Sequence, residues 1–366
     1  MAFFLFVFVV LLLNLRVWWK LCNAFWKGSA VGTWLSLAVV LALFLMPVFL
    51  RIIPVPKSFE RWLEQASWVW LAWSFWMCFV LLLFDLWNVA LWGLSYIPNY
   101  NDVLRFFAGD KLSACVAIAF TIIATIWGVI EANSIVLHTV EIKTDKLPEN
   151  VGEYRIAFVS DIHLGPAATE RRVHKTIALL EQTKADVLVS AGDLVDGHSD
   201  REVVLAKLLG SANVAQGKWF AVSGNHDCYS GLDFSRTMHD LAGFKLLRNA
   251  SELVDGWLWI YGEDDPASGS KMAERISGCP EGCFALFLRH RPTWGGGDLQ
   301  LSGHSHGGQI FPFNFLVRLQ HPYKESRLHK IEKGYMYVSM GTGVWGPPFR
   351  VLARPEVTLF VLKKST

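Results

Sequence analysis

Charge is what this 366-residue sequence has least of: Asp, Glu, Lys and Arg make up 18% of it, against about a quarter in ordinary soluble domains. Neither sign prevails. The formal net charge is +2, and the stretch before Glu131 holds 8 Lys and Arg against 5 Asp and Glu, a balance of +3 that leaves −1 for the remainder. Neither part is the basic surface that a nucleic-acid partner needs. Cysteine is sparse, six residues in all. Cys22, Cys78 and Cys115 fall in apolar runs and read as packing residues; Cys279 and Cys283 bracket Pro-Glu-Gly and leave a small disulfide loop or two reduced thiols as alternatives. Internal repeats are missing, as are basic residues ahead of the first apolar run. Arg16, Lys20 and Lys27 follow that run instead, the reverse of a signal peptide, so it reads as an uncleaved anchor.

What is plentiful is hydrophobic residue, 52% of the chain, concentrated at the front with 12 of the 17 Trp before Glu131. Since about 20 helical residues cross the hydrocarbon of a bilayer, four segments there are expected to span it: 2–18, 33–53, 68–92 and 112–130. Trp18, Trp19, Trp34, Trp62, Trp68 and Trp92 cluster near their ends, where an indole buries its ring and keeps its N–H wet. Asp85 lies near the end of the third segment and is expected at the interface. The expectation is a multi-pass membrane protein of unassigned orientation, because Lys and Arg are shared equally between the two sides. Residues 1–130 form the membrane region, 131–154 a linker with a leading strand, and 155–366 a globular domain.

In that last region buried strands predicted at 155–160, 186–190 and 219–223 alternate with helices at about 169–183 and 200–209, which argues for an α/β layered domain. Later segments (253–262, 283–288, 299–301, 335–339 and 357–362) read as strands with few helices between them. They suit a second, more antiparallel sheet packed on the first.

Polar residues gather where these strands end. Asp161 and His163 follow the first strand, Asp193 the second, Asn225, His226 and Asp227 the third, and Ser302-Gly-His304-Ser-His306-Gly-Gly-Gln309 a later one. In open α/β sheets ligands bind beyond the carboxyl ends of strands. Carboxylate, imidazole and amide oxygen together suit Mn²⁺, Fe²⁺ or Zn²⁺. Six or seven donors exceed one tetrahedral site, whereas two ions about 3.5–4 Å apart that share a carboxylate use them all.

The ordered set Asp161-x-His163, Gly192-Asp193, Gly224-Asn225-His226-Asp227, His290 and Gly303-His304-x-His306 resembles the calcineurin-like metallophosphoesterases over residues 155–362. The runs around them, with Gly341-Thr-Gly-Val-Trp-Gly-Pro-Pro-Phe-Arg350 and Arg354-Pro-Glu356, look like a membrane-associated subgroup that includes enzymes similar to UDP-2,3-diacylglucosamine pyrophosphatases. The resemblance implies an α/β/β/α sandwich and a binuclear site. Its first divalent ion is held by Asp161, His163, Asp193 and His306, its second by Asp193, Asn225, His290 and His304, and hydroxide attacks phosphorus in line. It leaves His226 to stabilise or protonate phosphate oxygens, with Asp227 orienting it. The flanking Arg289 and Arg291 depart from the family's habit and are candidate phosphate contacts, as are Arg350 and Arg354. His138, His174, His198, His239, His321 and His329 read as solvated or packing residues.

About 30 residues separate the last apolar segment from Asp161, which is expected to hold the site close to lipid. Phe311-Pro-Phe-Asn-Phe-Leu-Val317, just after the histidine pair, either meets acyl chains or forms a covered hydrophobic loop. The partners so implied are membrane lipids and a lipid-linked phosphoester or diphosphate. Soluble or cell-wall phosphates are a second reading, and a non-catalytic membrane sensor or scaffold a third.

Overall fold

A computed structural model describes residues 2–52, 55–98, 100–320, 323 and 325–365, and the chain divides into two compact units, Met1–Trp127 and Gly128–Thr366. The first unit is helical: α1 (Ala2–Phe25), α2 (Ala30–Ile52), α3 (Lys57–Leu94) and α4 (Asp110–Ala132), which continues into the second unit. Among the described residues three stretches are long and apolar enough to cross a membrane, Val7–Phe25, Phe59–Leu94 and Asp110–Ala132; a shorter apolar stretch, Ala30–Met46, lies in α2. Ile53, the end of the second predicted segment, lies outside the described residues. Helix α3 starts well before the predicted 68, because Glu60, Arg61 and Glu64 are good helix formers and no Gly or Pro intervenes.

Polar groups inside this unit answer one another. Asn14 is buried, and its Oδ1 accepts from Trp70 Nε1 at 2.8 Å and Ser74 Oγ at 2.9 Å. Trp73 Nε1 donates to Thr125 Oγ1 at 2.9 Å. The carboxylate of Asp85 pairs with Arg16 and with Lys20, the latter at 3.1 Å, and Lys20 also reaches Asp110 at 2.9 Å.

The second unit holds two six-stranded sheets. One runs β1 (Val136–Thr144), β12 (Glu356–Lys364), β2 (Glu153–Val159), β3 (Val187–Ser190), β4 (Trp219–Ala221), β5 (Lys245–Leu246). The other runs β10 (Leu328–Ile331), β11 (Gly334–Val338), β9 (Leu299–Ser302), β8 (Phe284–Leu288), β7 (Leu258–Gly262), β6 (Ala250–Val254). Alternate residues divide the first sheet's burial. Ile156, Phe158, Val187 and Val189 face the second sheet through Ile260, Leu286 and Leu301; Ala157, Val159 and Leu188 face the helical side through Val173, Leu180, Leu205 and Met238. Those last four belong to α5 (Glu170–Thr183), α6 (Asp200–Leu209) and α8 (Leu232–Leu241). The two helices that follow β2 and β3 begin on side-chain caps, Thr169 accepting from Arg172 N and Ser199 closing a capping box with Glu202.

Two strand expectations change. The predicted strand at 253–262 is a hairpin: Asp255 and Gly256 both take positive φ and reverse the chain between β6 and β7. The second sheet is antiparallel only at its edges. Its centre, β7, β8, β9 and β11, pairs in parallel, consistent with continuous buried runs such as Phe284–Leu288 rather than alternating ones.

Candidate metal centre

Strand ends of both sheets deliver the polar residues to one place. Asp161 and His163 follow β2, Asp193 follows β3, and Asn225 and His226 open the short helix α7 (Asn225–Tyr229) after β4. His290 follows β8, and His304 and His306 follow β9. Asp161, His163, Asp193, His304 and His306 all take left-handed backbone, φ between 48° and 72°. Each such non-glycine residue carries a conformational cost. Five of them in one cluster mark a site whose surroundings force its geometry. Two glycines let the turns close: a Cβ at Gly224 would run into the Asp193 carboxylate, and one at Gly303 into Ser160 Oγ and Asp161 Oδ2.

Among the described residues three groups have donor atoms within 4.8 Å of one another: Asp161, His163 and His306; Asp193, His290 and His304; and His163, Asp196 and His226. In the first, His163 Nε2 lies 3.0 Å from His306 Nε2, which is 3.4 Å from Asp161 Oδ1. In the second, His290 Nε2 lies 3.2 Å from His304 Nδ1 and 3.1 Å from Asn225 Oδ1. Asp193 Oδ2 stands between these two groups, 3.6 Å from His163 Nε2 and 3.2 Å from His290 Nε2. Its other oxygen accepts from the His226 backbone N–H at 2.8 Å. His290 Nδ1 is 2.8 Å from the Ala191 carbonyl, which fixes that nitrogen as the N–H and turns Nε2 to the site.

The donor set fits divalent cations. Two carboxylates, an amide oxygen and imidazole nitrogens converge at short range, the mixture of donors that hard-to-borderline divalent cations take. Among the described residues, Asp161 Oδ2 and His163 Nδ1 are buried with no hydrogen-bond partner.

Electrostatics set the protonation states of the cluster. Burial, with the nearby Asp193 charge, pushes the Asp161 carboxyl up to about 6. Burial likewise lowers His163 to about 4 and His304 to about 3, and holds His306 well below the usual histidine range. Those three imidazoles are therefore neutral at physiological pH, the form that ligates. At His290 burial opposes the charge, but the Asp193 carboxylate outweighs it and pushes the pKa up to about 10. Asp193 shows the converse: burial works against its ionisation, yet His290, His163 and His226 hold it far below the carboxylate range.

The groups around the cluster differ from expectation in three respects. First, Asp227 does not orient His226. It accepts from the backbone N–H groups of Asp193 at 2.8 Å, Gly224 at 2.8 Å and Val195 at 3.1 Å, clamping the turn that carries Asp193. Adjacent helical positions diverge in direction, so Asp227 points away from its neighbour's ring. Second, the partner of His226 is Asp196, whose Oδ1 lies 2.9 Å from Nδ1. Sequence reading missed it, although it stands three residues after Asp193 in Gly-Asp-Leu-Val-Asp. Burial works against a charge on His226, but Asp196 and then Asp193 outweigh it and raise its pKa.

Third, two of the four arginines, Arg289 and Arg350, are internal ties. Arg289 is buried and bonds Glu263 and the Ala273 carbonyl; Arg291 bonds Asp265 at 2.8 Å. Arg350 is fully buried, giving Nε to Gly343 O at 2.9 Å, Nη1 to Met340 O at 2.6 Å and Ala353 O at 2.9 Å, and Nη2 3.0 Å from His306 Nδ1. Arg354 donates to Ser134 O at 2.8 Å. For Arg289 and Arg350, both buried with their guanidinium donors on protein acceptors, this argues against a phosphate grip. Of the other histidines, His138 lies 2.9 Å from Tyr337 Oη and His239 Nδ1 2.8 Å from Ser235 O, and His321 is outside the described residues.

The family model for calcineurin-like phosphoesterases matches residues 154–308. A transmembrane protein with metallophosphoesterase domain from Danio rerio is 28% identical over 394 residues, spanning 99% of this chain and 89% of that one. An uncharacterized metallophosphoesterase of Aquifex aeolicus is 35% identical over 237 residues, 61% of this chain and 89% of that one. The uncharacterized metallophosphoesterase YkuE of Bacillus subtilis is 30% identical over 243 residues, 61% and 84% of the two chains.

Proposed function

The chain belongs to the calcineurin-like metallophosphoesterases, and from that premise we propose that it is a membrane-bound phosphohydrolase that cleaves a phosphodiester or diphosphate bond in a lipid-linked substrate such as UDP-2,3-diacylglucosamine. The observation that carries the hydrolase reading is Asp193 Oδ2, poised between two histidine groups as a bridging ligand is. Asp161, His163, Asp193 and His306 would hold one divalent ion, and Asp193, Asn225, His290 and His304 the other. Two such ions supply charge that offsets the developing phosphoryl negative charge and activates water at neutral pH. The chain's own residues do the rest. Asp227 fixes the Asp193 turn through three backbone N–H groups. Asp196 holds His226 at Nδ1, which leaves Nε2 to carry a proton to the leaving oxygen, and the raised pKa of His226 favours the protonated form.

Support for a lipid substrate is of a different kind. Three apolar helices among the described residues are long enough to cross a membrane, a relative is named a transmembrane protein, and a water-soluble ester needs no enzyme so anchored. The discriminating experiment compares full-length protein, loaded with Mn²⁺, on UDP-2,3-diacylglucosamine and on water-soluble nucleotides and bis-p-nitrophenyl phosphate. A higher kcat/KM on the lipid supports the reading. A preference for the soluble esters sinks it and leaves a broad phosphodiesterase whose helices only fix its location.

A further inference from the structure

The segment after the histidine pair takes no part in the chemistry above. From Phe311 to Lys330 it carries Arg318, Lys324, Arg327 and Lys330 against a single acid, Glu325, and Glu325 is buried on the Ser305 hydroxyl. Its helix α9 (Phe313–Gln320) turns apolar side chains outward. Phe315 is 56% exposed, Leu316 52% and Leu319 85%, and positions 315, 316 and 319 share one helical face. Scattered exposed leucines need no explanation, whereas a contiguous apolar face with Arg318 over its Phe315 ring, in a segment of basic sequence, does.

This face is tied into a frame. Asn314 donates Nδ2 to Gly307 O at 2.8 Å and to Leu352 O at 3.2 Å, and Leu352 is itself 61% exposed. The N–H groups of Leu352 and Ala353 donate to the Glu131 carboxylate at 3.2 and 2.7 Å, and Arg350 N donates to Gly128 O at 3.0 Å. Gly128 and Glu131 belong to the last turns of α4, a candidate membrane span, where Val129 and Ile130 are exposed as well. Helix α9, the 350–353 loop and the end of a span thus share one hydrogen-bonded frame. His306 belongs to it through Arg350 and Gly307.

We propose that the face formed by Phe315, Leu316, Leu319 and Leu352 seats in the headgroup region of an anionic bilayer and opens the metal centre at the lipid surface. Continuity with the end of a span selects a bilayer as the occupant, and the basic residues select anionic lipid. The catalytic consequence, access for a phosphate embedded in lipid, rests on the substrate reading above; the seating does not.

The test uses the full-length protein in nanodiscs of anionic phospholipid, with a fluorescent amino acid placed at Leu319 and, as control, at Val204, which is 56% exposed on α6. Quenching of the 319 probe by bromine-labelled lipid and not by aqueous iodide, with the reverse at 204, is the expected result. Iodide quenching at 319 equal to that at 204 overturns the seating. So does protection from both quenchers, which would mean that a protein or a second copy covers the face. A Leu316→Glu/Leu319→Glu double variant is then expected to lose about tenfold in kcat/KM on UDP-2,3-diacylglucosamine while keeping its rate on bis-p-nitrophenyl phosphate. Equal loss on both substrates overturns the catalytic consequence. Lipid quenching at 319 in an enzyme that prefers soluble esters instead sinks the substrate reading and leaves the seating intact.

Discussion

The helical unit and the metal centre both bury polar groups, and they handle them in opposite ways. In the helices, Asn14 meets Trp70 and Ser74, and Asp85 meets Arg16 and Lys20. In these groups donors match acceptors, as an environment poor in water favours, although among the described residues Gln65 Oε1 is buried without a hydrogen-bond partner. At the strand ends, carboxylates and imidazoles crowd together instead: His163 Nε2 stands 3.0 Å from His306 Nε2, His290 Nε2 lies near both His304 Nδ1 and Asn225 Oδ1, and Asp161 Oδ2 has no hydrogen-bond partner among the described residues. Five left-handed residues hold that arrangement. A buried polar cluster that closes on itself is structural, while one that stays short of positive charge asks for a cation.

The sharpest way to break this comparison is at Asp193. Asp193→Ala should lower kcat by roughly 10³-fold or more and halve the bound metal, read by steady-state assay and elemental analysis; full metal content would show that the carboxylate is not shared. His226→Ala should cost about 10²–10⁴-fold with metal content unchanged, which separates proton transfer from ligation. Asp196→Asn should cost about 10–100-fold and leave a signature in the pH profile. Because Asp196 raises the His226 pKa, and the acid works when protonated, activity falls as pH rises through that pKa. The variant's alkaline limb should therefore move to lower pH; an unmoved limb rules out the pairing. The smallest effect belongs to the helices: Asn14→Leu should cost about 1 kcal/mol in detergent, seen as a lower thermal midpoint, with turnover of a soluble ester unchanged.

How far the sequence foretold this depended on range. Local signals carried well. Apolar runs announced β2, β3 and β4, and the seven donors that meet in space stand just after these strands and after β8 and β9. Signals that depend on direction carried less. Asp227 follows His226 in the chain, but a helix sends neighbouring side chains apart, and the carboxylate that meets the imidazole comes from Asp196, 30 positions away. Arg289 and Arg350 misled for a similar reason. A guanidinium in a loop reads as exposed until the fold supplies acceptors, as Met340, Gly343 and Ala353 do for Arg350. Asp255-Gly256 was a legible turn signal overlooked inside an apolar stretch.

The central claim is that Asp193 joins two cations into one centre. Electron paramagnetic resonance of the full-length protein titrated with Mn²⁺ tests it directly. The account predicts an exchange-coupled two-ion spectrum in the wild type and only an isolated single-ion signal in Asp193→Ala. An uncoupled wild-type spectrum, or coupling that survives the substitution, would contradict it.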